Sequence, residues 1–234
     1  MKTLQLYAVA VTAVLAIVLM SGFQSTNNAR FGEITVERIN VVDKDGHNRM
    51  IISNDSRMPG PIQRGQEWAP NTGRTGMLFY NEEGTENGGL IFSGHKTNGK
   101  VTAVGSLTFD QYEQDQTIAL QYVDDGGNRR AGLNITDYSP DISLREFIDR
   151  NNEINKMPDG PEKTAARQQF QTLRPHSRLY VGRARNDGSS LVSLSDANGK
   201  ERLRLRVMPD GESAIEFLDN QGKVVRSLTA SDVR

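Results

Sequence analysis

The alternation of apolar and polar residues in Leu191–Leu228 constrains this chain most. A period of two predicts β-strands, and the Asp-x-x-Gly breaks at Asp196–Gly199 and Asp219–Gly222 are typical of tight hairpin turns. A Pro-Asp-Gly sequence at 209–211 joins the two hairpins. The stretch therefore predicts a meander of short antiparallel strands.

The same pattern recurs earlier in the chain. It is clearest at Asp43–Gly46, and weaker copies surround Gly84 and Gly126. We therefore expect a mainly β fold of repeated antiparallel hairpins over 31–140 and 176–234, arranged as a meander, a stacked sheet or a solenoid-like array. An Asp that begins a turn can bond its own backbone, so we interpret these carboxylates as turn-formers rather than as cation ligands.

The period changes to three and four residues between 141 and 175. Phe147 and Phe170 each lie on an apolar stripe, and Met157–Gly160 separates the two stripes. This pattern predicts a helical hairpin inserted into the β-protein, with Asp159 as the N-cap of the second helix. Its apolar stripe packs on the sheet or docks on a partner.

Leu4–Phe23 is an almost uninterrupted apolar run. About 20 residues suffice for a helix that spans a bilayer, so residues 1–24 are predicted to be an uncleaved transmembrane anchor, with a cleaved signal peptide as the alternative. Residues 25–30 would be a short tether. Lys2 at the start of the chain favours a single-pass protein of a bacterial inner membrane with its β-domain on the periplasmic side.

The longest irregular stretch is 54–76, where prolines and glycines argue against regular structure. It contains Trp68, the only tryptophan, together with Arg57, Arg64 and Arg74. Trp and Arg commonly anchor protein interfaces, which makes these residues and the stripe residues Phe147 and Phe170 candidate partner contacts. Alternatively, the indole folds back as a lid over the β-core.

A second polar cluster contains Asp110, Glu113 and Asp115. Carboxylates at this spacing can share a strand face or surround a divalent cation, but the segment lacks the glycine and trailing glutamate of a calcium loop. A polar turn at a strand corner is the plainer interpretation, and no metal or cofactor is predicted. The three carboxylates also support an alternative hypothesis of a hydrolase.

Composition excludes several function classes. The chain has no cysteine, which rules out disulfides, thiolate metal sites and a cysteine nucleophile. Its 28 Lys and Arg nearly balance 29 Asp and Glu, so no general positive field attracts nucleic acid. The usual metalloprotease, serine-hydrolase, phosphate-loop and dinucleotide motifs do not occur, and an enzyme is not expected.

The phrases FYNEEGTENGGLIF (79–92) and FDQYEQDQ (109–116), with the terminal Asp-x-x-Gly hairpins, resemble an uncharacterised bacterial family of membrane-anchored proteins. The resemblance covers most of the chain after Phe31. It implies a bacterial source and one architectural unit. It carries over no activity and no site residue.

Rows of hairpins have open edges, which proteins cover with caps, partners or further copies. The leading functional hypothesis is therefore a non-catalytic, membrane-anchored accessory subunit that stabilises a larger membrane complex, of respiratory or photosynthetic type for example. A homo-oligomer fits the same argument. The alternatives are an extracytoplasmic module that binds envelope polysaccharide or forms a fibre-like oligomer, and the hydrolase above.

Overall fold

The structure is a computed structural model that describes residues 5–7, 9–15, 28–70 and 73–232. The chain divides into two compact units, Met1–Val36 and Glu37–Arg234. In the first unit, residues 5–7 and 9–15 are helical. Within the described ranges, no helix combines the length and the apolar character needed to cross a bilayer. Residues 1–4, 8 and 16–24 of the predicted anchor and 25–27 of the predicted tether fall outside those ranges, so the anchor stays a prediction.

In the part of the chain that the structure describes, the second unit contains fourteen strands and two α-helices. The strands are β1 (Arg38–Val42), β2 (Asn48–Ser53), β3 (Ile62–Gln63), β4 (Gln66–Glu67), β5 (Gly76–Tyr80), β6 (Glu86–Thr97), β7 (Lys100–Asp110), β8 (Gln116–Asp125), β9 (Asn128–Asp137), β10 (His176–Arg183), β11 (Ser190–Ser195), β12 (Glu201–Val207), β13 (Ser213–Leu218) and β14 (Val224–Thr229). The helices are α1 (Leu144–Lys156) and α2 (Pro161–Gln171), and Ala230–Asp232 forms a short 3-10 turn.

Among the described residues, twelve strands form one open antiparallel sheet, in the order β1-β2-β5-β6-β7-β8-β9-β10-β11-β12-β13-β14. Within this sheet each strand pairs with the strand that follows it in the order given. Strands β3 and β4, which lie between β2 and β5 in the sequence, form a separate small sheet. Strands β1 and β14 are the two edges. The prediction of a mainly β hairpin fold is confirmed, and the arrangement is the meander.

Five hairpin turns at one end of the sheet share one hydrogen-bonding pattern. They join β1–β2, β5–β6, β7–β8, β11–β12 and β13–β14, and in each the first residue's amide donates to the carbonyl four residues later. The first residues are Asp43, Asn81, Gln111, Asp196 and Asp219. Next to each turn the pairing register shifts by one residue, which marks a bulge. The sequence repeat is therefore a structural repeat.

The interpretation of the aspartates as turn-formers is confirmed. Asp43 Oδ1 accepts from the amides of Asp45 and His47, both at 3.0 Å. Asp196, Asp219 and Asn81 do the same in their own turns. The copy expected around Gly126 is different, because the β8–β9 turn lies at the opposite end of the sheet.

The stretch 54–76 is less irregular than predicted, because it contains the β3–β4 hairpin. Arg64 and Gly65 adopt φ of 49° and 72° and form its turn, and Trp68 N donates to the Pro61 carbonyl at 3.1 Å. The stretch lies over the main core cluster of the described chain. Its Met58 packs there with side chains that face it from β2 and β5: Ile51, Leu78 and Tyr80.

The predicted helical hairpin is confirmed and occupies the β9–β10 connection, where a sixth short turn would otherwise stand. Ser143 and Glu146 form a capping box at the start of α1. For α2 the predicted N-cap was wrong by one residue. Gly160 is the N-cap, and the Asp159 carboxylate instead accepts from Lys163 Nζ at 2.8 Å.

Candidate functional site

A small acidic cavity lies where the β3–β4 segment, the β7–β8 turn and α1 meet. Its volume is about 200 Å³. The chemistry-bearing side chains on its wall are Trp68, Arg74, Glu86, Asp110 and Asp115. The first two come from the long loop, Glu86 begins β6, and the two aspartates flank the β7–β8 turn. The repeated turn therefore places carboxyl groups from two hairpins beside one another.

Burial changes the protonation of this cavity. Burial, helped by the charges of Glu86 and Asp115 and opposed by Arg74, raises the pKa of Asp110 to about 8. Burial likewise raises the pKa of Glu86 to about 7. Asp110 Oδ1 is buried and finds no hydrogen-bond partner among the described residues. At pH 7 Asp110 is thus mostly protonated and Glu86 about half protonated, and a protonated carboxyl group is the state required of a general acid.

Glu113, the third carboxylate of the cluster noted in the sequence, forms an ion pair with Arg64. It borders the cavity, but its Oε1 accepts from Arg64 Nε at 2.5 Å. Its backbone φ of 52° is the left-handed conformation of this turn. Within the described ranges, no group of three or more His, Asp or Glu side chains is arranged to hold a metal ion.

The loop candidates occupy separate places. Trp68 is half-buried and lines the acidic cavity together with Leu144 and Ile148 of α1, and its role as a lid stays a prediction. Arg57 is exposed and pairs with Glu37 at 3.2 Å. The structure thus brings Trp68 and Arg74 together and leaves Arg57 and Arg64 apart from them.

The two aromatic candidates of the helical hairpin pack on each other. The rings of Phe147 and Phe170 stack with centroids 4.5 Å apart. Phe170 is only 3% exposed, so in this conformation its ring is not offered to a partner. The hairpin is fastened to the β7–β8 turn, because Leu144 N donates to the Glu113 carbonyl at 2.8 Å and Gln114 Nε2 donates to the Ile142 carbonyl.

The largest candidate surface is one face of the sheet, here called the apolar face. Its first row contains one apolar residue from each of the twelve paired strands, directly opposite one another. In strand order they are Ile39, Ile52, Met77, Leu90, Leu107, Leu120, Leu133, Val181, Val192, Leu205, Ile215 and Leu228.

A second row runs beside the first, two residues nearer the repeated turns. Its members are Val41, Met50, Phe79, Gly88, Phe109, Ile118, Ile135, Leu179, Leu194, Leu203, Phe217 and Arg226. Only Gly88 and Arg226 interrupt its apolar character. Every apolar side chain of both rows is half-buried or exposed, and Leu120 and Phe109 near the centre are 55% and 50% exposed. In the carboxyl-terminal half this face forms an open groove of about 620 Å³.

The opposite face, here called the polar face, carries the β3–β4 segment at one end and charged pairs at the other. Glu216 is buried between Arg204 and Arg206, with oxygen-to-nitrogen distances of 3.1 and 2.8 Å. These three side chains satisfy one another's charges without a partner from another molecule. The apolar face has no comparable cover among the described residues of Glu37–Arg234.

The sequence pattern alone did not identify two features, Glu86 and the continuous apolar rows. Glu86 was missed because it stands alone after the Gly84 turn, although its place two residues after the repeated glycine could have aligned it with the other hairpins. The continuous apolar rows were missed because strand order is needed to join them. Alternation in every hairpin was the available signal. No protein-family model, curated protein or solved structure matches the chain.

Proposed function

We propose that the chain is a non-catalytic accessory subunit that assembles through the apolar face of its sheet. In this proposal the run Leu4–Phe23 anchors the protein in a bacterial inner membrane and holds the β-domain on the periplasmic side, within a larger membrane complex. The observation that carries the proposal is the pair of exposed apolar rows across the whole sheet.

The size of the rows supports an interaction role. Twelve strands about 4.8 Å apart extend about 58 Å, and two rows of residues take up about 14 Å along the strands. The product is about 800 Å². Soluble monomers rarely expose a contiguous apolar patch larger than a few hundred Å², and larger patches mark binding surfaces.

The proposal is tested with a double variant in the middle of the apolar face, Phe109→Lys with Leu120→Lys. Both side chains are at least half exposed, so lysine is accommodated without opening a core. The matched control, Ser93→Lys with Ser227→Lys, places the same charges on exposed positions of the polar face. Each full-length protein is extracted in mild detergent and its mass is measured by light scattering.

The wild type and the control are expected in an assembly heavier than one chain, and the apolar-face variant as a single folded chain. Circular dichroism checks that all three keep the same strand content. A wild type that elutes as one chain, or an apolar-face variant that stays in the assembly, would contradict the proposal.

A second candidate function is a hydrolase that uses Asp110 as its general acid. The raised pKa of Asp110 in a cavity favours it, since perturbed carboxyls concentrate at catalytic sites. Its test is the Asp110→Asn variant, expressed in place of the wild type. Cells with this variant should show the same phenotype as cells that lack the protein, while the mass of the assembly is unchanged. An unchanged phenotype would remove this candidate.

A further inference from the structure

We infer that the apolar face is covered by a second copy of the same chain, so that two twelve-stranded sheets form a face-to-face sandwich. The inference rests on the proposed function, because it names the partner at the proposed surface. In such a dimer the polar faces point outward, and each carries its own charged pairs and its own acidic cavity.

The area of the rows matches what a stable dimer requires. Each partner of a standard protein interface contributes about 800 Å², and the two rows supply about that amount. Adjacent side chains add to it, since Phe92, Tyr122 and Val207 on the same face are also more than 40% exposed. The patch is thus large enough to be the whole interface.

The surface is also complementary to itself. A two-fold dimer joins the same patch on both subunits, so the patch has to accept its own copy. The first row is apolar in every strand, and the second row is charged only at Arg226 in the edge strand. Two such faces can pack about 10 Å apart with aligned strands, as in β-sandwiches, without burying an unpaired charge at the centre.

Polar groups surround the rows as a rim. The repeated turns border the second row with Asp43, Asp196 and Asp219, and the Asp124–Arg129 ion pair at 2.9 Å lies beyond the first row. An apolar centre with a polar rim is the usual anatomy of a protein interface. The line of turn carboxylates disfavours an anionic lipid surface as the occupant.

The chain's own apolar run is too small to replace a second copy. A helix built from all of Leu4–Phe23 would be about 30 Å long and about 10 Å wide. That is about half the length of the rows, and it would leave the strands at one end of the sheet uncovered. A second sheet covers all twelve.

The absence of cysteine in the chain provides a direct test. The midpoint of the twelve strands lies between β8 and β9, so a centred two-fold axis places Leu120 of one copy near Leu133 of the other. Single variants Leu120→Cys and Leu133→Cys are made in the full-length chain, with Ser93→Cys on the polar face as the control. Membranes containing each variant, and membranes from cells that express the first two together, are treated with a bis-maleimide of about 10 Å reach, the spacing of packed sheets, until the slowly reacting apolar-face cysteines are fully modified.

We expect a covalent homodimer at twice the mass of the chain from the apolar-face variants and none from Ser93→Cys. A product that joins the chain to a different protein would overturn the second copy while leaving the proposed function standing. Apolar-face cysteines that react with a monofunctional maleimide as fast as Ser93→Cys would overturn both. Cysteines that react slowly but, once fully modified, join no second chain would show that lipid or the amino-terminal run covers the face, which also overturns the second copy.

Discussion

Replacing Asp110 by Asn should stabilise the protein strongly at alkaline pH and far less at acidic pH. Burial raises the pKa of this carboxyl from 3.8 to about 8 in the folded chain. Between those two values the folded state keeps a proton that the unfolded state has lost, so the free energy of unfolding falls as pH rises. Above about pH 8 the carboxyl is ionised in both states and the loss is complete.

The magnitude follows from the pKa difference. Each pH unit over which the folded state holds the extra proton is worth about 1.4 kcal/mol, so the interval from pH 5 to pH 8 removes about 4 kcal/mol from the wild type. Asn is neutral in both states and has no such loss. Glu86, whose pKa burial raises to about 7, keeps its own pH dependence of the same sign in both proteins.

The assay is urea unfolding of the full-length protein at pH 5 and pH 8, at fixed ionic strength. Trp68 is the only tryptophan and lies on the cavity wall, so its fluorescence reports on this part of the fold. Asp45→Asn, in the exposed β1–β2 turn, is the matched control for the loss of one carboxyl group. If the gain of Asp110→Asn changed by less than about 1 kcal/mol between the two pH values, the buried protonated carboxyl would be refuted.

Three further predictions concern packing and turns. Ile51→Ala should lower the free energy of urea unfolding by about 2–4 kcal/mol because its side chain is fully buried, whereas Ile52→Ala on the apolar face should cost less than about 1 kcal/mol in a dissociated chain. Equal losses would contradict the assignment of the two faces. Phe170→Ala should cost about 3 kcal/mol and melt the helical signal first in circular dichroism, because its ring is buried in the hairpin; an unchanged melt would refute that packing. Asp219→Ala should cost about 1 kcal/mol through two lost turn hydrogen bonds, whereas Asn220→Ala should be near neutral in the same denaturation assay; equal effects would contradict the turn chemistry.

The hairpin architecture could be predicted because its determinants are local. Asp at the start of a turn and Gly at positive φ near its end, as at Asp196 and Gly199, specify the turn without any distant residue. The turn at Gln111 has neither residue at those places and was not recognised as a copy. It forms because Glu113 adopts the left-handed conformation and its side chain is held by Arg64.

The candidate sites depend on strand order, which local patterns do not specify. Asp110 and Asp115 were noted as neighbours in sequence, but Glu86 joins them only because β6 pairs with β7. The apolar rows likewise need the register of eleven strand pairs. The start of the β-region differs from the prediction: the hairpins were expected from residue 31, yet β1 begins at Arg38. Just before it, Asn54 N donates to the Glu37 carbonyl beside the pairing of β1 with β2.

The most direct test of the central claim is the reactivity of single cysteines on the apolar face in intact membranes. Leu120→Cys and Leu205→Cys should react with an aqueous maleimide about tenfold more slowly than Ser93→Cys, because a partner excludes the reagent, and all three should react alike after unfolding. Equal rates at all three positions before unfolding would show that the face is open to water, and would contradict an assembly through the apolar rows.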